Sequence, residues 1–216
     1  MPRFYRMGSS VGKIPAFRVD TTIIEDEPGP ADDCPACGRT IGMLNWLEPH
    51  VMDLHGQGTS WPDFFRIAGI NVILSEAVRD ACLAEGIVGF ERFEPIRIRT
   101  LRMNKRLREP PPNYFLGKVR RGRIRLDEAA SKLQRNRLRS GQPPCDVCGG
   151  ADPRVAEGLF IDLSTWKGEH VFLPENFYTM VTLSQDFVDF LDRHEFAHDP
   201  FRPLDQIRFE YKDYTS

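Results

Sequence analysis

CPACG at residues 34–38 and CDVCG at residues 145–149 decide how this chain is read. Each is a cysteine pair with two residues between, closed by glycine, and 107 residues separate Cys37 from Cys145. A thiolate pair at this spacing spans two corners of a zinc tetrahedron. The glycine lets the backbone curl so that its N–H groups face the sulfurs. One hook supplies two ligands, whereas structural zinc takes four. The leading reading is one zinc-ribbon-like, two-knuckle site in which Cys34, Cys37, Cys145 and Cys148 share a structural Zn2+. Two alternatives stay open, redox chemistry at CPAC and no metal at all. A redox motif needs a strand before it and a helix starting at its first cysteine. Here an acidic turn precedes the hook and Gly38 follows it, which fits a knuckle better.

The chain has 216 residues, 41% hydrophobic and 28% charged, which suits one soluble domain or two small ones with a core that needs no staple. MPRFYRMGSSVGK holds no apolar run of signal-peptide length, and no stretch approaches a membrane span. These features predict a cytoplasmic protein with no membrane partner. In a reducing compartment, paired cysteines bind metal or do redox work more often than they form structural disulfides. The net charge of −2 is unevenly spread. Residues 97–139 carry 15 Lys and Arg against Glu109, Asp127 and Glu128, a net of +12, and the remainder carries −14. A fold can bring these opposite charges together, so a nucleic-acid stripe is the lesser expectation.

Apolar periodicity sets the organisation. FYRM, PAFRVDTTII, HVMDL and INVIL read as strands. SEAVRDACLAEG reads as a helix with Ser75 as N-cap and Gly86 as its stop. Ala77, Val78, Ala81 and Cys82 share one face of it, so Cys82 is expected in the core. IVGFERFEPIRI is extended and EPPPN breaks the chain. YFLGKV and GRIRL read as a hairpin about Arg121-Gly122, and DEAASKLQRNRLRSG as a helix leading to the second hook. Beyond that hook, GLFIDLS and HVFL are strand-like. YTMVTLSQDFVDFLDRH then repeats strand, serine, helix, with Ser184 matching Ser75 and Phe187, Phe190, Leu191 and His194 on one face. PFRPLDQIRF parallels FERFEPIRI. The expected fold class is α+β, mixed small sheets with a few helices. Residues 1–216 form a single domain, with pseudo-repeat halves at about 34–98 and 145–210 and a basic connecting segment at 97–144.

Two other zinc patterns compete. Cys34, Cys37, His50 and His55 match the spacing of a two-Cys, two-His finger. Pro49, however, falls inside the helix such a finger needs, at a cost of about 3 kcal/mol. HEFAH at 194–198 matches the zinc-peptidase pattern, in which His194 and His198 bind zinc and Glu195 is the general base. Pro200 and Pro203 stop the helix, and no second helix follows to bring a third ligand. The plainer expectation is a helix end running into a turn.

With CPACG and CDVCG at this wide separation, PPNYFLGKV followed by LDEAAS, and the two strand–helix units, the chain resembles the double-CXXCG family of myxobacterial paralogues. The resemblance runs over most of the chain from about Phe4. The basic stretch at 97–108 is longer than the family's common pattern. Members of that family are described as immunity proteins of polymorphic toxin systems. The resemblance therefore implies a binding protein, not an enzyme, whose partner is a cognate protein toxin and whose zinc is structural. A nuclease toxin would present a cationic groove, for which Glu25 to Asp33 and the acids of QDFVDFLD are the candidate contacts. Nucleic acid is not the expected partner on this reading. It would require Arg120, Arg121, Arg123 and their neighbours to bind phosphate.

Overall fold

The computed structural model describes residues 2–7, 19–24, 28–42, 44–67, 69–135, 145–150 and 153–210. In chain order the elements are β1 (Phe4–Met7), β2 (Val19–Ile24), β3 (Asp32–Asp33), β4 (Thr40–Ile41), β5 (His50–Gly56), β6 (Phe64–Arg66) and β7 (Val72–Ser75). Then come α1 (Glu76–Ala84), β8 (Phe90–Met103), β9 (Tyr114–Val119), β10 (Gln134–Arg135), β11 (Pro153–Glu157) and β12 (Val171–Phe172). The chain ends with β13 (Thr182–Ser184), α2 (Gln185–Arg193), β14 (Phe201–Pro203), a 3-10 turn at Leu204–Gln206 and β15 (Arg208–Glu210). The class is α+β, with several small sheets and two helices among the described residues.

The largest sheet has the order β2-β5-β8-β9-β7-β6. Only β5 and β8 run parallel in it. A second sheet, β12-β13-β1-β14, joins the N-terminal strand to the C-terminal half. The β10-β11-β15 sheet and the β3–β4 hairpin complete the set.

Both strand–serine–helix units form. The Ser75 hydroxyl accepts from the Val78 N–H and the Ser184 hydroxyl from the Phe187 N–H, so each satisfies an N–H the helix start leaves free. Each helix spans nine residues. Their apolar faces meet in one core: Val78 and Cys82 from α1, Phe187, Phe190 and Leu191 from α2, with Phe64, Leu74, Val171 and Leu183 from the two larger sheets. Cys82 is a core residue as expected, and burial pushes its thiol up to about 12. Ala77 faces solvent instead of joining that face. The other side of the six-stranded sheet carries Met52, Leu54, Ile73, Tyr114 and Leu116, with Trp46 packed on them. A third core, with Ile124, Leu126, Leu159, Phe172 and Met180, underlies the C-terminal half.

Three local expectations fail. GRIRL does not pair back on YFLGKV. Ile124 and Leu126 are buried in the third core, and only single bridges form, Arg121 to Leu173 and Leu126 to Ile161. An apolar–cation alternation serves an extended buried segment as well as a hairpin strand. The helix read over DEAASKLQRNRLRSG is one turn. Asp127 caps Ala130, then Lys132 turns left-handed at φ +47° and the Leu133 N–H closes on the Glu128 carbonyl. Gln134–Arg135 is a strand, and residues 136–141 of that reading lie outside the described residues. GLFIDLS is not a strand either, because Asp162 accepts from the Ser164 N–H and folds the chain into a turn. Of PAFRVDTTII, residues 19–24 are a strand and 15–18 lie outside the described residues.

The linker after α1 sews the two halves together. The Val88 carbonyl accepts from the His170 and Val171 N–H groups, and Gly89 lies against Val171. A Cβ at Gly89, whose φ is +135°, would sit 1.9 Å from the Val171 carbonyl oxygen. At Gly86, φ +67°, a Cβ would meet nothing within 4 Å. Gly86→Ala should therefore cost about 1 kcal/mol, the left-handed penalty alone. Gly89→Ala should cost clearly more, and equal losses in thermal melts of the two variants would contradict the close approach.

Candidate metal centre

The first hook sits at the tip of the β3–β4 hairpin. Short strands bring Asp32 opposite Ile41 and Asp33 opposite Thr40, and residues 34–39 between them form the knuckle that closes the turn. The Cys34 N–H donates to the Arg39 carbonyl at 2.7 Å, and the Gly38 N–H donates to the Cys34 carbonyl at 2.8 Å. The second hook repeats that turn, with the Gly149 N–H on the Cys145 carbonyl at 2.8 Å. Gly38 and Gly149 have φ of +67° and +74°, the left-handed conformation that glycine adopts without strain. No helix starts at Cys34, so the arrangement a thioredoxin-like redox motif requires is absent there.

The two knuckles face each other. Cys34 Sγ lies 3.9 Å from Cys145 Sγ, and Cys37 Sγ lies 3.8 Å from Cys148 Sγ. All four sulfurs lie within 4.8 Å of one another. Four thiolates around a tetrahedral ion at 2.3 Å are about 3.8 Å apart, so this cluster fits a metal ion. A disulfide would need about 2.05 Å, and all four cysteines are free. Cys34 and Cys148 are buried and Cys37 is exposed. Ile41, Val147 and Tyr178 pack around them.

The thiols are unequal. The Cys148 N–H, with that of Val147, lowers the Cys145 thiol to about 7. Burial opposes ionisation of Cys34, yet the Ala36 and Cys37 N–H groups hold its thiol below the ordinary value. Burial pushes Cys148 up to about 12, and the three neighbouring sulfurs add to the rise. Four sulfurs this close cannot all carry charge without a cation between them.

Three arginines of the basic segment grip the hooks, a role the sequence reading missed. Arg121 pairs with Asp32 at 3.1 Å and donates to the Ile41 carbonyl, clasping the first hairpin. Arg125 donates to the Asp146 and Val147 carbonyls of the second hook and pairs with Glu175 at 2.9 Å. The Arg135 guanidinium fills the space beside Gly149, where a Cβ would lie 2.3 Å from its Cζ, and it bonds Glu128 and the Asn176 carbonyl at 2.7 Å each. Nothing local marks these three among the segment's other cations. Their targets lie far along the chain. The stretch at 97–108 behaves differently. Arg97, Arg99, Arg102, Lys105, Arg106 and Arg108 are all exposed, and Arg99 pairs with Asp53 at 2.7 Å.

The competing zinc patterns do not assemble. His50 opens β5, and its Nε2 lies 3.0 Å from Glu94 Oε2. His50 and His55, five residues apart on one strand, face opposite sides of the sheet. The finger would need them on a helix. At HEFAH, α2 ends at Arg193, His194 is its C-cap, and Glu195 turns left-handed at φ +57°. His194 contacts Glu85, whereas His198 contacts Asp192 at 3.1 Å. The two imidazoles thus serve different carboxylates and share no site. Of the acidic candidates, Asp32 is taken by Arg121 and Asp33 accepts from Thr40 at 2.9 Å. Residues 25–27 lie outside the described residues, while Asp186 and Asp189 on α2 are exposed. No helix among the described residues is long and apolar enough to cross a membrane.

Cys148→Ser should abolish metal binding and lower the melting temperature, because it removes a buried corner of the cluster. Cys82→Ser should leave the metal content unchanged, since Cys82 belongs to the helical core. Elemental analysis of the two purified variants checks both, and a Cys148→Ser protein with full metal content would contradict the site. No family model matches the chain, and no curated protein matches it.

Proposed function

We propose that this protein is an immunity protein: it binds a cognate toxin tightly in the cytoplasm of the producing cell and blocks the toxin's active site or its access to target. The observation that carries the reading is the closure of the cysteine cluster. Four sulfurs at tetrahedral spacing leave an ion no open position for water or substrate. Soft thiolates at this geometry favour Zn2+, which supplies structural cross-linking and no chemistry here. Such an ion fixes a surface for binding. The resemblance to the double-CXXCG family points the same way.

The docking face we favour is the outer side of α2. Asp186 and Asp189 are exposed there while Phe187, Phe190 and Leu191 anchor the helix in the core. An acidic face on a rigid helix suits the cationic groove of a nuclease. A second reading, a nucleic-acid binder, draws support from the exposed cations at 97–108. Arg121 no longer counts toward it, being tied to Asp32 and the Ile41 carbonyl.

Co-expression with a toxin, if one is encoded by a gene adjacent to this one, tests the proposal. Wild type should restore growth and co-purify with the toxin, and Asp186→Lys/Asp189→Lys should lose at least about tenfold in affinity, since reversing both charges sets like charge against a cationic groove. No protection by the wild type, together with salt-sensitive binding to single-stranded nucleic acid, would replace this reading with the second.

A further inference from the structure

A second cluster of ligating groups lies away from the cysteines. The parallel ladder sets His50 opposite Ile96. Glu94, two residues before Ile96, therefore reaches the same side of the sheet, and its Oε2 comes 3.0 Å from His50 Nε2. Glu48 stands two residues before His50, and its carboxylate lies within 4.8 Å of both groups. His50 and Glu94 have side chains only 1% and 8% exposed, whereas Glu48 is exposed and opens the cluster to solvent.

Three features single this cluster out from an ordinary surface ion pair. First, the three groups converge: the His50–Glu94 separation of 3.0 Å, that of a hydrogen bond, is also the edge between adjacent ligands of an octahedral ion with bonds of about 2.1 Å, and Glu48 lies within 4.8 Å of both. Second, Glu94 is already held as metal-binding carboxylates are. Arg92 binds its Oε1 and leaves Oε2 toward the imidazole. Third, the imidazole is buried against Trp46, whose ring meets it at 4.9 Å, so its Nε2 edge is held beside Glu94. Its Nδ1, on the opposite edge of the ring, has no hydrogen-bond partner among the described residues and stays available as the outer N–H of a ligating histidine. Two carboxylates and one neutral imidazole would also balance the charge of a divalent cation.

We propose that Glu48, His50 and Glu94 form a second metal site, for a divalent cation of the Mn2+ class. One nitrogen and two carboxylate oxygens suit a harder ion than four thiolates do, so the two clusters sort different metals. Three protein ligands leave the remaining positions to water at the Glu48 side. The site would tie the start of β5 to the middle of β8 and to the loop before β5. This inference does not depend on the immunity reading, because it uses none of the residues that reading assigns.

Mn2+ itself is the probe, since the thiolate cluster discriminates against it. Titration of the full-length protein, followed by loss of the free-ion EPR signal, should show one saturable Mn2+ per chain. Glu48→Gln alters an exposed side chain and should keep the wild-type melting temperature while weakening Mn2+ at least about tenfold. Glu109→Gln, an exposed acid elsewhere, should change nothing. His50→Gln should abolish binding, with circular dichroism confirming that it folds. Absence of saturable Mn2+ binding by wild type overturns the proposal. So does binding equally strong in Glu48→Gln, which would mark an adventitious ion only.

Discussion

Four sulfurs from hooks 111 residues apart meet at 3.8 to 3.9 Å, a cluster that could hold a metal ion, and the attraction such an ion would supply is between thiolates and a shared cation. Neutral thiols are weak hydrogen-bond partners, and four bare thiolates would repel. An ion reverses that sign and closes a very long loop at one point. The entropic cost of closing such a loop rises only slowly with its length, by about 0.6 kcal/mol per doubling, so a clip between distant hooks costs only modestly more than one between near ones.

The surroundings of the cluster are built for that charge. Each hook curls so that backbone N–H groups point at its first sulfur, which is why Cys34 and Cys145 are the easily ionised pair. Around them Arg121 and Arg125 hydrogen-bond the hook backbones, and Arg135 packs against Gly149. The basic segment of the sequence is thus two things in the structure. Its later part braces the hooks from within, while the part at 97–108 runs along β8 and the following loop in solvent. The helices are held independently. Their serine caps and shared aromatic core would persist around an altered hook, so metal loss and global unfolding need not coincide.

What could be read in the sequence was what residues decide over one or two turns. Ser75 and Ser184 announce their helices because an N-cap works within three residues. The hooks announce themselves because both ligands of each knuckle are local. The one-turn stop at Lys132 was not legible. An alanine-rich stretch favours helix, and the strand that ends it pairs with β11, whose position only the fold supplies. The same holds for Ile124 and Leu126, which are drawn away from a hairpin by a core made largely from residues after 150. At the site, Cys34 with Cys145 could be paired by counting ligands, but Arg125 with Asp146 and His50 with Glu94 could not. A hydrogen bond across the fold leaves no periodic trace in either partner.

Zinc K-edge X-ray absorption on the purified protein tests the central claim most directly. The account predicts a single zinc environment of four sulfurs at about 2.3 Å, with no nitrogen or oxygen in the first coordination sphere. Two or fewer sulfurs, completed by nitrogen or oxygen, would mean that the distant hooks do not share one ion, and would contradict it.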